Sequence, residues 1–178
     1  GLSFSCVLAT VRELHDCQGH KRVIGPDFQW RVGQNVITGQ ARVSSSRTPD
    51  RPDLTSGWTG QKLHGHAVDL SWNRSSRHFD ASAQGRDISD GFRADAGFVP
   101  QVGVRTMAGD AGWTFRPNGF VRRLRTFVSG NRQADRRGDL VDAQVTPGMG
   151  MDIKWSGFAQ LRMENARIRT GDVLLTRR

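Results

Sequence analysis

Strict alternation of apolar and polar residues constrains this chain more than any other feature. Val141, Ala143, Val145, Pro147, Met149, Met151, Ile153 and Trp155 are all apolar, and Asp142, Gln144, Thr146, Gly148, Gly150, Asp152 and Lys154 lie between them. Successive side chains of a strand point to opposite faces, so a period of two makes one apolar and one polar face. A helix would need a period of 3.6. The run covers about 15 residues, against about 5–6 for an ordinary soluble strand.

The pattern recurs along the chain. Ile24, Pro26, Phe28, Trp30 and Val32 alternate with Gly25, Asp27, Gln29 and Arg31. Val68, Leu70 and Trp72 alternate with Asp69 and Ser71, and Phe79, Ala81 and Ala83 with Asp80, Ser82 and Gln84. Met107, Ala111, Trp113 and Phe115 alternate with Asp110 and Thr114. Shorter versions occur around Ile37–Val43, Leu124–Val128 and Ala159–Met163, with a weaker opening near Leu2–Val11. The reading is about nine strands. Pro26 and Pro147 fall inside two of them, where each removes a ladder donor.

The connections are expected to alternate between short and long. Gly33-Gln34, Ser75-Ser76-Arg77, Pro117-Asn118-Gly119 and Ser156-Gly157 have the composition of tight turns. Glu13–His20, Ser45–Gln61, Asp87–Pro100 and Asn131–Asp139 are longer and polar. This is the layout of an up-and-down antiparallel sheet with one tight rim and one ragged rim, as in outer-membrane barrels. Trp30, Trp72, Phe79, Trp113, Phe115 and Trp155 flank the short turns, mostly on the apolar face. A membrane–water interface accounts for such a girdle, because an indole is apolar with one polar tip. The absence of Tyr is unusual for one.

Composition narrows the classes. No run of 18 apolar residues exists, which excludes a transmembrane helix. The chain carries 26 Lys and Arg against 17 Asp and Glu, for a net charge of +9. Most of its arginines are scattered singly and no nucleic-acid-binding motif is present, so nucleic acid is not an expected partner. Cys6 and Cys17 form no metal-ligand pair, and whether they join is left open. The competing architecture is a soluble β-sandwich or jelly roll acting as a lectin or glycan hydrolase. Its inner face would hold bulky aliphatics, whereas many apolar-face positions here are Ala, Gly or Met. The opposite face is too charged for a dry core and suits a wet lumen, with mixed signs that imply cross-strand ion pairs. The fold class is therefore all-β, part of a transmembrane barrel. The chain starts without Met and ends in an unfinished pattern. Residues 1–178 are read as an internal piece of the barrel domain, needing further strands of the same polypeptide.

Several motifs resemble a known family. They are Asp27-Phe28-Gln29-Trp30-Arg31, Thr48-Pro49-Asp50-Arg51-Pro52-Asp53-Leu54, and Asp90-Gly91-Phe92-Arg93-Ala94-Asp95 leading into Gly97-Phe98-Val99-Pro100-Gln101-Val102-Gly103. From about Leu8 to Arg169 the chain resembles the C-terminal region of a bacterial outer-membrane β-barrel family, domain of unknown function 5916. Members usually carry an N-terminal family 9 carbohydrate-binding-like module. The resemblance implies an outer-membrane location, lipid as a partner and binding or passage of carbohydrate. It implies no catalytic residues.

The candidate ligand residues lie in the long links: Arg47, Asp50, Arg51, Asp53, Trp58, Asp90, Phe92, Arg93 and Asp95. Arg–carboxylate pairs there would staple the loops. Alternatively, Trp58, Phe92 or Phe98 would stack on a sugar ring while Asp and Arg take its hydroxyls. An acid–base carboxylate pair would need a geometry that sequence does not show, so no catalytic residue is assigned. His64-Gly65-His66 has a metal-ligand spacing but no evident third ligand, and is read as polar rim. No cofactor or metal is expected.

Overall fold

The computed structural model describes residues 1–12, 20–47, 53, 59–93, 101–170 and 173–177. It is all-β, with strands β1 (Leu2–Arg12), β2 (His20–Val32), β3 (Asn35–Arg47), β4 (Lys62–Ser75), β5 (Phe79–Ile88), β6 (Val104–Phe115), β7 (Val121–Asp135), β8 (Leu140–Ile153), β9 (Phe158–Arg162), β10 (Asn165–Thr170) and β11 (Val173–Arg177). They form one sheet in the order β1-β2-β3-β4-β5-β6-β7-β8-β10-β11, with β9 also on β8. This is an up-and-down antiparallel meander. Among the described residues the sheet is not closed, and β1 and β11 are its ends.

Eleven strands replace the expected nine, and one of the two additional strands arises from a break in the ladder. β9 and β10 follow a single line along β8: Gly148 faces Arg162 and Val145 faces Asn165. Met163 therefore falls opposite Pro147, and its N–H donates to the Pro147 carbonyl at 3.0 Å. The return bond cannot form because proline has no N–H, and the ladder lapses there. On the other edge of β8, Val128 faces Pro147 in an unbroken register. The remaining additional strand, β11, pairs with β10 from Thr170↔Val173 to Ala166↔Arg177.

The connections correct a second expectation. The polar segment Asn131–Asp139 is not a long link. β7 continues to Asp135 and only residues 136–139 turn, so strict alternation of short and long connections fails at this point. Asn131 Nδ2 donates to Asp142 Oδ2 at 2.6 Å, so this polarity belongs to the strand's own polar face. The Asp135 carboxylate accepts from the Arg137 and Asp139 N–H groups and closes the turn. The links after β3 and β5 start later than expected, because those strands extend to Arg47 and Ile88. Gly33, with φ 55°, occupies the first position of the two-residue β2–β3 turn, where an L side chain would be strained.

Two compact units account for the packing. Unit 1 comprises Gly1–Trp30, Thr38–Leu70 and Arg86–Arg105, and unit 2 comprises Arg31–Ile37, Ser71–Gly85 and Thr106–Arg178. Among the described residues neither has an ordinary apolar core. In unit 2, Trp113 and Phe115 are 48% and 49% exposed, while Thr114 between them is 7% exposed. Val145 is likewise exposed and its neighbour Thr146 buried. In unit 1, Val43, Val68 and Leu70 are exposed while Ser44 and Ser46 are buried. At these positions the apolar side chains are the exposed ones and the polar side chains beside them are buried.

Candidate functional site

The polar face of unit 2 is built around Arg125. Its Nε donates to both Asp80 oxygens at 3.1 Å, and its Nη2 donates to Asp110 Oδ1 at 2.7 Å and also to Asp80. Asp80, Asp110 and Arg125 lie on β5, β6 and β7, so one guanidinium ties three strands. Gly112 makes the reach across β6 possible, since a Cβ there would fall 2.6 Å from Arg125 Cζ. The guanidinium also lies 5.0 Å from the Phe127 ring centroid. Arg123 pairs with Asp152 at 2.8 Å, and Arg169 with Asp135 at 2.7 Å. Beside the Arg125 cluster, Ser82, Gln84, Ser129, Asn131, Gln144 and Thr146 help to line a hollow of about 480 Å³. In unit 1 the polar face carries Arg86 on Asp69 at 2.7 Å. These contacts are the cross-strand pairs that mixed-sign alternation leads one to expect. Sequence did not reveal that Arg125 serves two carboxylates at once. The small residue at Gly112, two positions from Asp110 on the same face, was the available signal.

Residues 89–93, at the start of the link after β5, pack onto β3 and β4 of the same unit. The Ser89 N–H donates to the His66 carbonyl at 2.9 Å, and the His66 N–H donates to Ser89 Oγ at 2.7 Å. The Arg93 N–H donates to Ser44 Oγ at 3.0 Å, and its Nη1 donates to the Asp90 and Phe92 carbonyls. Phe92 is 2% exposed, and its backbone presses on Gly65, where a Cβ would overlap it. Of the candidate ligand residues, the structure thus brings Asp90, Phe92 and Arg93 together in one tucked turn. This corrects the expectation that Phe92 is available to stack on a sugar, because its ring is enclosed. The Arg93 guanidinium grips carbonyls of its own turn, while the Arg93 N–H on Ser44 Oγ and the Ser89–His66 bonds tie that turn to β3 and β4. Arg47 is half-buried at the end of β3 and Asp53 is exposed. Asp50, Arg51, Trp58, Asp95 and Phe98 lie outside the described residues, as does Cys17; Cys6 is exposed as a free thiol.

The aromatic residues expected to form a girdle all fall among the described residues. In unit 1, Trp30 is exposed. In unit 2, Phe79 and Trp113 have ring centroids 6.0 Å apart, and Trp113 and Phe115 6.5 Å. The Trp72 indole N–H, half-buried, donates to Asn35 Oδ1 at 3.2 Å. Trp155 is 86% exposed, and its ring lies steeply inclined to that of Phe120, with centroids 5.9 Å apart. It holds φ 61°, a left-handed conformation that is costly for a bulky residue.

The fold defines an all-β class, an antiparallel meander whose apolar side chains point away from its ionic face. Comparison with family models, curated proteins and solved structures finds no match to the chain.

Proposed function

We propose that this chain is a membrane-spanning part of a bacterial outer-membrane β-barrel, completed by further strands of the same polypeptide. The observation that supports it is inverted exposure: Trp113 and Phe115 face out while Thr114 between them is enclosed. Water offers no reason for this pattern. Burying one large apolar side chain is worth roughly 1.5–3 kcal/mol. Whole domains are stable by only about 5–15 kcal/mol, so a water-soluble fold that left a handful of such side chains exposed would forgo a gain as large as its total stability. Hydrocarbon supplies an apolar environment for them, while a wet lumen solvates the ion-paired face. The exposed rings near the short turns suit an interfacial girdle. Carbohydrate binding or passage rests on the family resemblance. In that reading Asp90 and Arg93 are polar contacts at the mouth, and Phe92 contributes to the loop rather than to the ligand.

The test is tryptophan quenching by brominated lipids, using full-length protein in liposomes. Single-Trp variants retain Trp72, Trp113, Trp155 or Trp58 in turn. Quenching of the first three at one interfacial depth, without quenching of Trp58, is the expected result. Protein that stays soluble without detergent and shows no quenching would overturn the proposal.

A further inference from the structure

Basic side chains gather on the apolar face of unit 1, where a lumen-directed function has no use for them. Strand parity puts Arg22 with Ile24 on β2, Arg47 with Val43 on β3, Lys62, His64 and His66 with Val68 and Leu70 on β4, and Arg105 with Met107 on β6. Among the described strand residues of this face in unit 1, Asp87 is the acid. It binds Arg105 Nε at 3.1 Å and stands 3.7 Å from His66 Nε2. Arg22, Ile24, Val43, His64 and His66 line a hollow of about 550 Å³. Its walls thus combine branched aliphatics with a guanidinium and two imidazoles.

This pairing selects a ligand chemistry. A free anion would gain nothing from Ile24 and Val43, and a neutral lipid nothing from Arg22. A lipid with a phosphate headgroup uses both, with its phosphate on the basic groups and its chains along Val68 and Leu70. We infer that the apolar face of unit 1 holds a phosphorylated lipid headgroup at the hollow between Arg22, His64 and His66, with Arg47, Lys62 and Arg105 extending the basic collar. The inference rests on the membrane reading proposed above. It adds a specific anionic lipid as partner, on the outside of the sheet and separate from any solute that uses the polar face. Basic residues near an anionic membrane surface attract such headgroups, and each adds to the attraction.

The experiment compares phosphatidic acid with phosphatidylcholine of the same chains, added to full-length protein in a neutral detergent. Bound lipid is counted by native mass spectrometry. The wild type is expected to retain phosphatidic acid at about tenfold lower lipid concentration than phosphatidylcholine. The triple variant Arg22→Ala, His64→Ala, Arg105→Ala is expected to lose that preference, and the Lys-substituted triple to keep it. Equal retention of the two lipids by the wild type would overturn the inference, as would an undiminished preference in the Ala triple. Complete displacement by millimolar inorganic phosphate would also overturn it, because the apolar wall would then contribute nothing. Bromolipid quenching of the same samples in vesicles separates the two claims. Quenching without lipid preference sinks this inference alone, whereas absence of quenching sinks the membrane reading beneath it.

Discussion

Arg125 concentrates the energetics of the polar face. Its guanidinium, Asp80 and Asp110 are each about a third exposed, at 29%, 34% and 33%, so solvent screening reduces what their pairing contributes. Charged hydrogen bonds of this kind still contribute about 1–3 kcal/mol net. Arg125→Met should therefore destabilise by about 1–3 kcal/mol, leaving two carboxylates facing each other. Gly112→Val should cost a similar amount by placing methyl groups where the guanidinium lies. Because both remove one interaction, the double variant should cost clearly less than the two single effects combined. Urea midpoints in detergent measure all three, and strict additivity would show that Gly112 does not serve Arg125. At this scale the residue types were legible: alternation assigned Asp80, Asp110 and Arg125 to one polar face. Which acid an arginine reaches depends on strand register and on the space left by a neighbour, and neither is written in the local pattern.

Proline determines where one element appears as two. Pro147 lies inside β8, and its missing N–H interrupts the ladder where Met163 would have accepted. Pro147→Val restores a donor opposite the Met163 carbonyl and keeps the β-branched, apolar character of that face. It should join β9 and β10 into one strand and stabilise by about 0.5–1.5 kcal/mol. Hydrogen exchange checks this directly: the new amide at position 147 should be protected, and Asn165 should exchange no faster than before. An unprotected amide at 147 would show that the break has another cause. Sequence indicated that Pro147 deletes a bond. It did not indicate which neighbour loses it, since that depends on whether the N–H side of residue 147 faces β7 or the following strand. The β7 boundary was misjudged for a related reason. Asn131, Arg132 and Gln133 have the composition of a loop, yet inside a sheet with a wet face they are ordinary strand residues, and Asn131 bonds Asp142 across the β7–β8 pair.

For the molecule as a whole, the solvent of the apolar face is decisive. Val145 is 53% exposed on β8, between positions whose side chains point to the ionic face. In water, Val145→Arg at such a site would change stability by no more than about 0.5 kcal/mol. Facing the middle of a bilayer, it should cost about 2–4 kcal/mol. Reversible urea unfolding of the full-length protein from lipid vesicles distinguishes the two, and a change near zero would argue that water, not lipid, bathes this face. The alternation of Val145 with Thr146, and of Trp113 with Thr114, was enough by itself to establish a long-stranded antiparallel sheet with two unlike faces. That follows because side-chain direction in a strand is a local property with a period of two. The tertiary structure alone decided that Thr114 and Thr146 are buried beside exposed apolar neighbours, that the link after β5 tucks Phe92 against Gly65, and that Arg125 joins three strands. Each of these depends on contacts between segments distant in sequence, and no local period encodes them.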